Sequence, residues 1–405
     1  MKVAVMGYGT IGSGVVEVLE VNKDLIKARA GEPVEVKYIL DLREFPGDPY
    51  EDKIVHDYQT ILQDKEIGIV VEAMGGVEPA YTFVKAMLEA GKHVTTSNKN
   101  LVAAKGAELL KIARERNLNF MFEASVGGGI PIIRPLNNCL TADRIDEITG
   151  ILNGTTNYML TRMANEGVSF DSVLKDAQAK GYAEADPTAD VEGYDPCRKI
   201  AILTSLVCGK QVDYEDIYTE GITKITAEDF AYAKELDCSI KLLASSKRVG
   251  DSFRCMVAPF MLSKSHPLCG VNDVFNAVFV KGNMLGDAMF YGSRAGKLPT
   301  ASAVVADIVD ITKHAHVNVH VEWALEKMEL VDYTESTNRF FVRTTSGIDA
   351  VEAAFGVASG DLPGVVEYVE GIVAGEIGFI TSAMTEADFA KAAEQISVMN
   401  RVRLG

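Results

Sequence analysis

The sequence predicts an α/β chain of more than one domain: a parallel sheet at the N-terminus, an α+β domain in the middle and a small mixed module at the end. Three observations carry this. A short apolar strand, Val3-Ala4-Val5-Met6, runs into Gly7-Tyr8-Gly9-Thr10-Ile11-Gly12 and then into Val15, Val16, Val18 and Leu19 at helical spacing. Apolar strands and amphipathic helices continue to alternate as far as Thr96, the pattern of parallel strands joined by crossover helices. After Asn338 the order becomes strand, helix, strand, strand, helix, strand, the ferredoxin-like arrangement. A length of 405 residues agrees, since it corresponds to two or three domains of about 150 residues.

The first unit has what a dinucleotide requires. Gly7 permits a tight turn, Gly9 lets backbone approach a pyrophosphate and Gly12 allows close helix-to-strand packing; Thr10 and Ile11 open the helix whose N-terminus faces the phosphates. The next strand, 34–40, ends at Asp41-Leu42-Arg43. An acid there suits the ribose hydroxyls of NAD and an arginine suits the extra phosphate of NADP; both are present, so the preference stays open. Further strands are read at 67–73 and 93–96, with a helix from about 79 to 90 between them. At their C-terminal ends stand Met74-Gly75-Gly76 and Ser97-Asn98-Lys99. Gly75 and Gly76 bring backbone close to a cofactor, and Ser97 and Lys99 point to the nicotinamide end; the plainer reading of Lys99 is an exposed lysine at a helix start.

Composition excludes several classes. Hydrophobic residues at 47% and charged residues at 24% describe an ordinary soluble protein, and no apolar run reaches the roughly 18 residues of a membrane span. The N-terminus enters a strand at once without a signal peptide's apolar region, so a cytoplasmic location is expected. A net charge of −17 argues against nucleic acid as a partner. Six cysteines without a Cys-x-x-Cys spacing read as reduced thiols, and Cys197 has no histidine near it in sequence to activate it. His314, His316 and His320 lack a carboxylate or cysteine to complete a metal set.

The segment Gly181-Tyr182-Ala183-Glu184-Ala185-Asp186-Pro187-Thr188-Ala189-Asp190-Val191-Glu192-Gly193-Tyr194-Asp195-Pro196-Cys197-Arg198-Lys199 crowds acids around one lysine. Pro196 favours a helix start, so Asp195 is expected to cap a helix through 198–203 and to share a face with Lys199 four residues on. Glu184, Asp186 and Asp190 lie on the loop leading in. The ordinary alternative is a solvated acidic loop beside a surface ion pair.

With Glu123-Ala124-Ser125-Val126-Gly127-Gly128-Gly129-Ile130-Pro131, Gly150-Ile151-Leu152-Asn153-Gly154-Thr155-Thr156-Asn157-Tyr158 and Tyr291-Gly292-Ser293-Arg294-Ala295-Gly296-Lys297-Leu298-Pro299-Thr300-Ala301-Ser302-Ala303-Val304-Val305-Ala306-Asp307, these stretches resemble the homoserine dehydrogenase family over residues 1 to about 325. The glycine fingerprint is shared by many dehydrogenases; the other pieces together are specific. The resemblance implies a Rossmann-like domain from 1–130 and about 300–325, a substrate and dimerisation domain from 131–300 and an ACT-like domain from 338–405. It implies NAD(P)-dependent interconversion of homoserine and aspartate semialdehyde by a homodimer or higher homo-oligomer. No kinase portion precedes the dehydrogenase segment, so a monofunctional form is expected.

Residue by residue, the family pattern makes Lys199 the proton donor and acceptor, Glu184 the ligand of the substrate ammonium, and Asp190 and Asp195 lining residues of the same site. Thr155 and Asn157 fall beside the substrate, Lys99 touches cofactor and substrate, and Gly296 approaches the cofactor. A sodium ion is implied at Glu123, by carbonyl or carboxylate, with Val126, Gly128 and Ile130; read alone, 126–129 would be a second phosphate loop. A free lysine has a pKa of about 10.4, so proton transfer requires desolvation or a neighbouring cation, a role that Lys99 suits. In the tail, Thr344-Thr345-Ser346-Gly347 replaces the usual Asp-x-x-Gly effector turn, although Asp361-Leu362-Pro363-Gly364 follows later, so an amino-acid effector site and a bracing role both stay open. The rival enzymes are other dehydrogenases on this scaffold. A semialdehyde dehydrogenase would need a cysteine in a recognisable turn, which is missing, and a nucleotide sensor would leave the acidic cluster inert.

Overall fold

The computed structural model describes residues 1–293, 296–360 and 362–405; Arg294 and Ala295 of the 291–307 motif, and Asp361 of the later Asp-Leu-Pro-Gly sequence, lie outside them. Among the described residues, β1 (Lys2–Met6), β2 (Glu35–Leu40), β3 (Ile54–Val55), β4 (Ile67–Glu72), β5 (His93–Thr96) and β6 (Phe120–Met121) form a sheet in the order β3-β2-β1-β4-β5-β6. Every pairing in it is parallel. Val3, Ala4, Val5 and Met6 are all fully buried, as a strand covered by helices on both faces must be. The strand order reverses between β1 and β4, where an open parallel sheet leaves a crevice for ligand. Helix Thr10–Val21 packs Val15, Val16 and Leu19 against Ala301, Val304 and Ile308 of helix Lys297–Lys313. The two-residue strands β3 and β6 are too short to show a periodicity.

These elements belong to one compact unit, 1–144 with 201–214 and 292–328, which also holds the parallel pair β8 (Lys210–Gln211) and β14 (Ala324–Lys327). The other unit is 145–200, 215–291 and 329–405. It contains β7 (Ile145–Ile151), β9 (Tyr218–Thr219), β10 (Cys238–Val249), β11 (Ser252–Ser263), β12 (Phe275–Gly282) and all but the last two residues of β13 (Gly286–Ser293). The tail adds β15 (Thr337–Thr344), β16 (Val365–Val369), β17 (Ile377–Thr381), β18 (Met384–Thr385) and β19 (Val398–Leu404), with helices Ile348–Phe355 and Glu386–Ala393. The sheet runs β13-β12-β7-β10-β11-β19-β15-β17-β16.

Within the tail the strand-helix-strand-strand-helix-strand order is present as read from sequence. Its strands are nonetheless part of the larger sheet, because β19 runs parallel beside β11 with Phe260 opposite Arg403. Buried charge joins the same parts: Arg343 bonds Asp229 Oδ1 at 2.8 Å and Glu376 through two nitrogens. The compact units therefore divide the chain differently from the expected 131–300 and 338–405, since pairing between strands so distant in sequence leaves no local pattern to read. Among the described residues no helix is long and apolar enough to cross a membrane.

Candidate active site

At the nucleotide end the geometry is set by backbone. Gly7 has φ of +98° and donates its N–H to Leu40 O at 2.8 Å. A Cβ on Gly12 would lie 1.8 Å from Gly7 O, so the helix leaves the sheet at a separation that only glycine allows. At Gly9 an added Cβ meets nothing within 4 Å, which leaves that face open beside the first N–H groups of the helix, those of Thr10 and Ile11.

Asp41 and Arg43, rivals in the sequence for two cofactors, are bonded to each other. Asp41 accepts the Tyr8 N–H at 2.9 Å, the Arg43 N–H at 3.0 Å, and Arg43 Nε and Nη2 at 2.9 Å each. The Arg43 guanidinium and these N–H groups hold the Asp41 carboxyl well below the usual carboxylate range. Both residues line a cavity of ≈ 510 Å³ with Gly7, Gly9, Met74 and His56. Its wall includes Tyr58 stacked on Phe83, with ring centroids 4.3 Å apart. Sequence reading misses this aromatic wall and His56, because single loop and helix residues from distant segments carry no motif.

Glu72 closes β4 and is fully buried. It accepts the N–H groups of Met74 at 2.7 Å and Gly75 at 3.2 Å, and the Thr96 hydroxyl at 2.5 Å. Burial pushes its carboxyl upward while these bonds oppose the shift. The turn it shapes carries φ of +80° at Gly75 and +72° at Gly76. Asn98 donates to Gly76 O at 2.6 Å and caps helix Lys99–Glu115 by accepting the Leu101 N–H. Ser97 and the half-buried Lys99 thus flank this cap at the end of β5.

In the 123–130 turn the Glu123 carboxylate is committed to protein backbone: it accepts the N–H groups of Ile132 at 2.7 Å, Ile133 at 2.9 Å and Arg134 at 2.8 Å. Its carbonyl, not its carboxylate, remains as a donor to a cation. Among the described residues no hydrogen bond ends on the carbonyls of Val126, Gly128 or Ile130, all in buried residues. Such main-chain oxygens suit a hard monovalent ion rather than phosphate, which needs N–H groups. Fully buried Asp307 anchors the turn through the Glu123 N–H, Thr95 and Arg134, each at 3.0 Å; burial raises its carboxyl to about 7. Gly296 caps helix Lys297–Lys313 and donates its N–H to Thr300 Oγ1 at 3.3 Å, and Pro299 packs where a side chain on Gly129 would stand.

Around Lys199 the geometry is set by side chains. Helix Tyr194–Cys208 starts one residue before Asp195, so Asp195 lies in its first turn instead of capping it. Asp195 Oδ2 accepts Lys199 Nζ at 2.8 Å and Asn153 Nδ2 at 2.9 Å. Lys199, only 8% exposed, also donates to Leu152 O at 2.8 Å. Asn153 is the hub: its amide also donates to Asp190 Oδ1 at 2.6 Å, while its Oδ1 caps helix Gly154–Glu166 through the Thr156 N–H. Sequence reading passes over Asn153, although an Asn before Gly-Thr-Thr is an N-cap signal.

Thr155 donates to Tyr182 O at 2.7 Å, tying this helix to the loop that carries Glu184. Glu184 itself is exposed, and among the described residues its carboxylate has no hydrogen bond or ion pair, so the structure does not join it to Asp190 and Asp195. Asn157 faces away. Two residues on from Thr155 it is about 200° further round the helix, and it bonds Val271 O, Phe275 O and the buried Lys241 instead. Desolvation lowers Lys241 to about 8.

A family model described as homoserine dehydrogenase matches residues 131–309, and one described as the NAD-binding domain of homoserine dehydrogenase matches 7–123. The chain is 38% identical to a homoserine dehydrogenase of Synechocystis over all of its own length and 97% of the relative's, and 42% identical to that of Bacillus subtilis over 79% and 74%. A solved homoserine dehydrogenase from Thiobacillus denitrificans is similar with a TM-score of 0.90 and 34% identity, covering 100% of this chain and 98% of that one. An archaeal homoserine dehydrogenase solved with NADPH is similar with a TM-score of 0.66 and 27% identity, covering 77% and 98%.

Proposed function

We infer the roles of individual residues from one premise: the chain belongs to the homoserine dehydrogenase family. It is an NAD(P)-dependent oxidoreductase that interconverts L-homoserine and L-aspartate 4-semialdehyde in amino-acid biosynthesis. The observation that carries the residue assignment is the set of buried Lys199, Asp195 and Asn153 with half-buried Asp190. Lys199 moves the proton at the substrate oxygen, held in place by Leu152 O and Asp195. The nicotinamide ring, when bound, accepts or returns the hydride. Asp190 and Asp195 balance the substrate ammonium, and Glu184 completes that site as its exposed loop folds inward. Thr155 holds the loop in register and Asn157 supports the helix from behind.

Gly7, Gly9, Thr10, Ile11, Gly12, Gly75, Gly76 and Gly296 give the cofactor close backbone, Ser97 and Lys99 meet its nicotinamide end, and Asp41 with Arg43 accepts either cofactor. Arg43 turned outward meets an extra phosphate; Asp41 meets ribose hydroxyls. The NADPH bound by the archaeal relative supports use of the phosphorylated form. A sodium ion at the carbonyls of Glu123, Val126, Gly128 and Ile130 fixes the 123–130 turn. The enzyme is a cytoplasmic homodimer, and its tail braces the sheet through β19. Assays of homoserine with NAD and NADP test the cofactor reading. Glu184→Leu is expected to raise the homoserine KM, whereas a collapse of cofactor affinity instead would displace Glu184 from the site. Unchanged activity under threonine titration supports the bracing tail.

A further inference from the structure

We propose that Glu220, held by Arg401 and Arg403 of the last strand, is a positioning residue for the homoserine site, so that the C-terminal strand sets substrate affinity. The proposal rests on the reading that Asp190 and Asp195 line that site. Glu220 follows β9, which lies parallel on β11, and its N–H donates to Val257 O at 2.8 Å. Its carboxylate accepts Arg401 Nη1 at 3.0 and 2.9 Å and Arg403 Nη1 at 2.8 Å. Arg403 is fully buried and is gripped from its other side by Glu386 at 2.6 and 3.0 Å. Burial alone would raise the Glu220 carboxyl, but the two arginines outweigh it and hold it below its ordinary value. Two cations and two anions thus balance, and a set with Arg403 and Glu386 buried at its centre tolerates little displacement because loss of one partner strands another's charge.

The next two residues carry that fixed position to the acidic loop. Ile222 is fully buried and donates its N–H to Val191 O at 2.8 Å. A Cβ on Gly221 would lie 2.1 Å from Val191 O and 2.5 Å from Glu192 Cα, so backbone rests directly on backbone. Gly193, with φ of +83°, presses against Thr219 and Val257, where a Cβ would meet them at 3.1 and 3.2 Å. The turn 191–193 is what separates Asp190 from Asp195, and both of these meet at Asn153. A shift of residues 219–222 therefore changes how the two aspartates converge without touching either.

Steady-state kinetics on the full-length enzyme test this with Glu220→Gln and Arg401→Met, beside Asp190→Asn as a reference for the site. The expected result in the first two is a homoserine KM raised about tenfold, with the cofactor KM within about twofold and kcat within about threefold; Glu220→Asp, which keeps the charge, recovers part of the loss. An unchanged homoserine KM in both, with a raised one in Asp190→Asn, overturns the proposal and leaves the site reading standing. No change in any of the three overturns both. Equal rises in the homoserine and cofactor constants also overturn it, because they mark general loosening. If Glu220→Gln does not fold, Arg401→Met decides, since Arg401 is partly exposed and Arg403 stays bonded to Glu220.

Discussion

The glycine turn of 7–12 and the polar set around Lys199 are built by different means. At Gly7 and Gly12, position is enforced by backbone that tolerates no added atom: Gly12 stands over Gly7 O, and Gly7 over Ala73 O. Around Lys199, position is enforced by polar side chains that satisfy one another, with Asn153 between two aspartates and Asp195 between Asn153 and Lys199. The first kind of site fails when volume is added. The second fails when a partner is removed, because a buried polar group left unpaired is expensive.

The largest effect breaks the set around Lys199. Lys199→Met is expected to lower kcat by about 10³, the usual reach of a positioned acid–base group, while calorimetry still detects homoserine and cofactor binding. Near-normal turnover would remove Lys199 from the chemistry. Next, Asn153→Ala leaves Asp190 and Asp195 without their shared donor and is expected to raise the homoserine KM by about ten- to a hundredfold. Gly12→Ala should raise the nucleotide KM by about tenfold and lower stability by about 1–3 kcal/mol in chemical denaturation, as overpacking does. Arg43→Ala sharpens the nucleotide side alone: the NADP KM rises by about fivefold to tenfold and the NAD KM stays level, one charge-assisted phosphate contact being lost.

The smallest effect is on pH dependence. Lys241 titrates near 8 in the folded chain against an ordinary value of 10.5, so between those two pH values the unfolded state binds more protons. Stability should therefore rise with pH across that window, by about 1–3 kcal/mol, and the rise should vanish in Lys241→Met when denaturation midpoints are compared. A rise that persists in the variant would assign it to another group.

The same contrast explains which features the sequence alone shows. Gly7, Gly9 and Gly12 were legible because a backbone constraint selects a residue type at a fixed spacing, and the tail's strand and helix order was legible from alternating patterns. Lys199 and Asp195 were paired by their spacing of four, but the expected cap was misplaced: one residue of helix start decides whether an aspartate faces N–H groups or a lysine. Asn153, Lys241 and the Tyr58–Phe83 wall were not legible, since each acquires its meaning from partners far away in sequence. The seat of β19 beside β11 was hidden for the same reason, as was the Arg403–Glu220–Glu386 set it carries.

The most direct test of this division is a crossed measurement of both Michaelis constants in Gly12→Ala and Asn153→Ala. The expected result is that Gly12→Ala raises only the nucleotide constant and Asn153→Ala raises only the homoserine constant. Variants that each raise both constants by similar factors would contradict it.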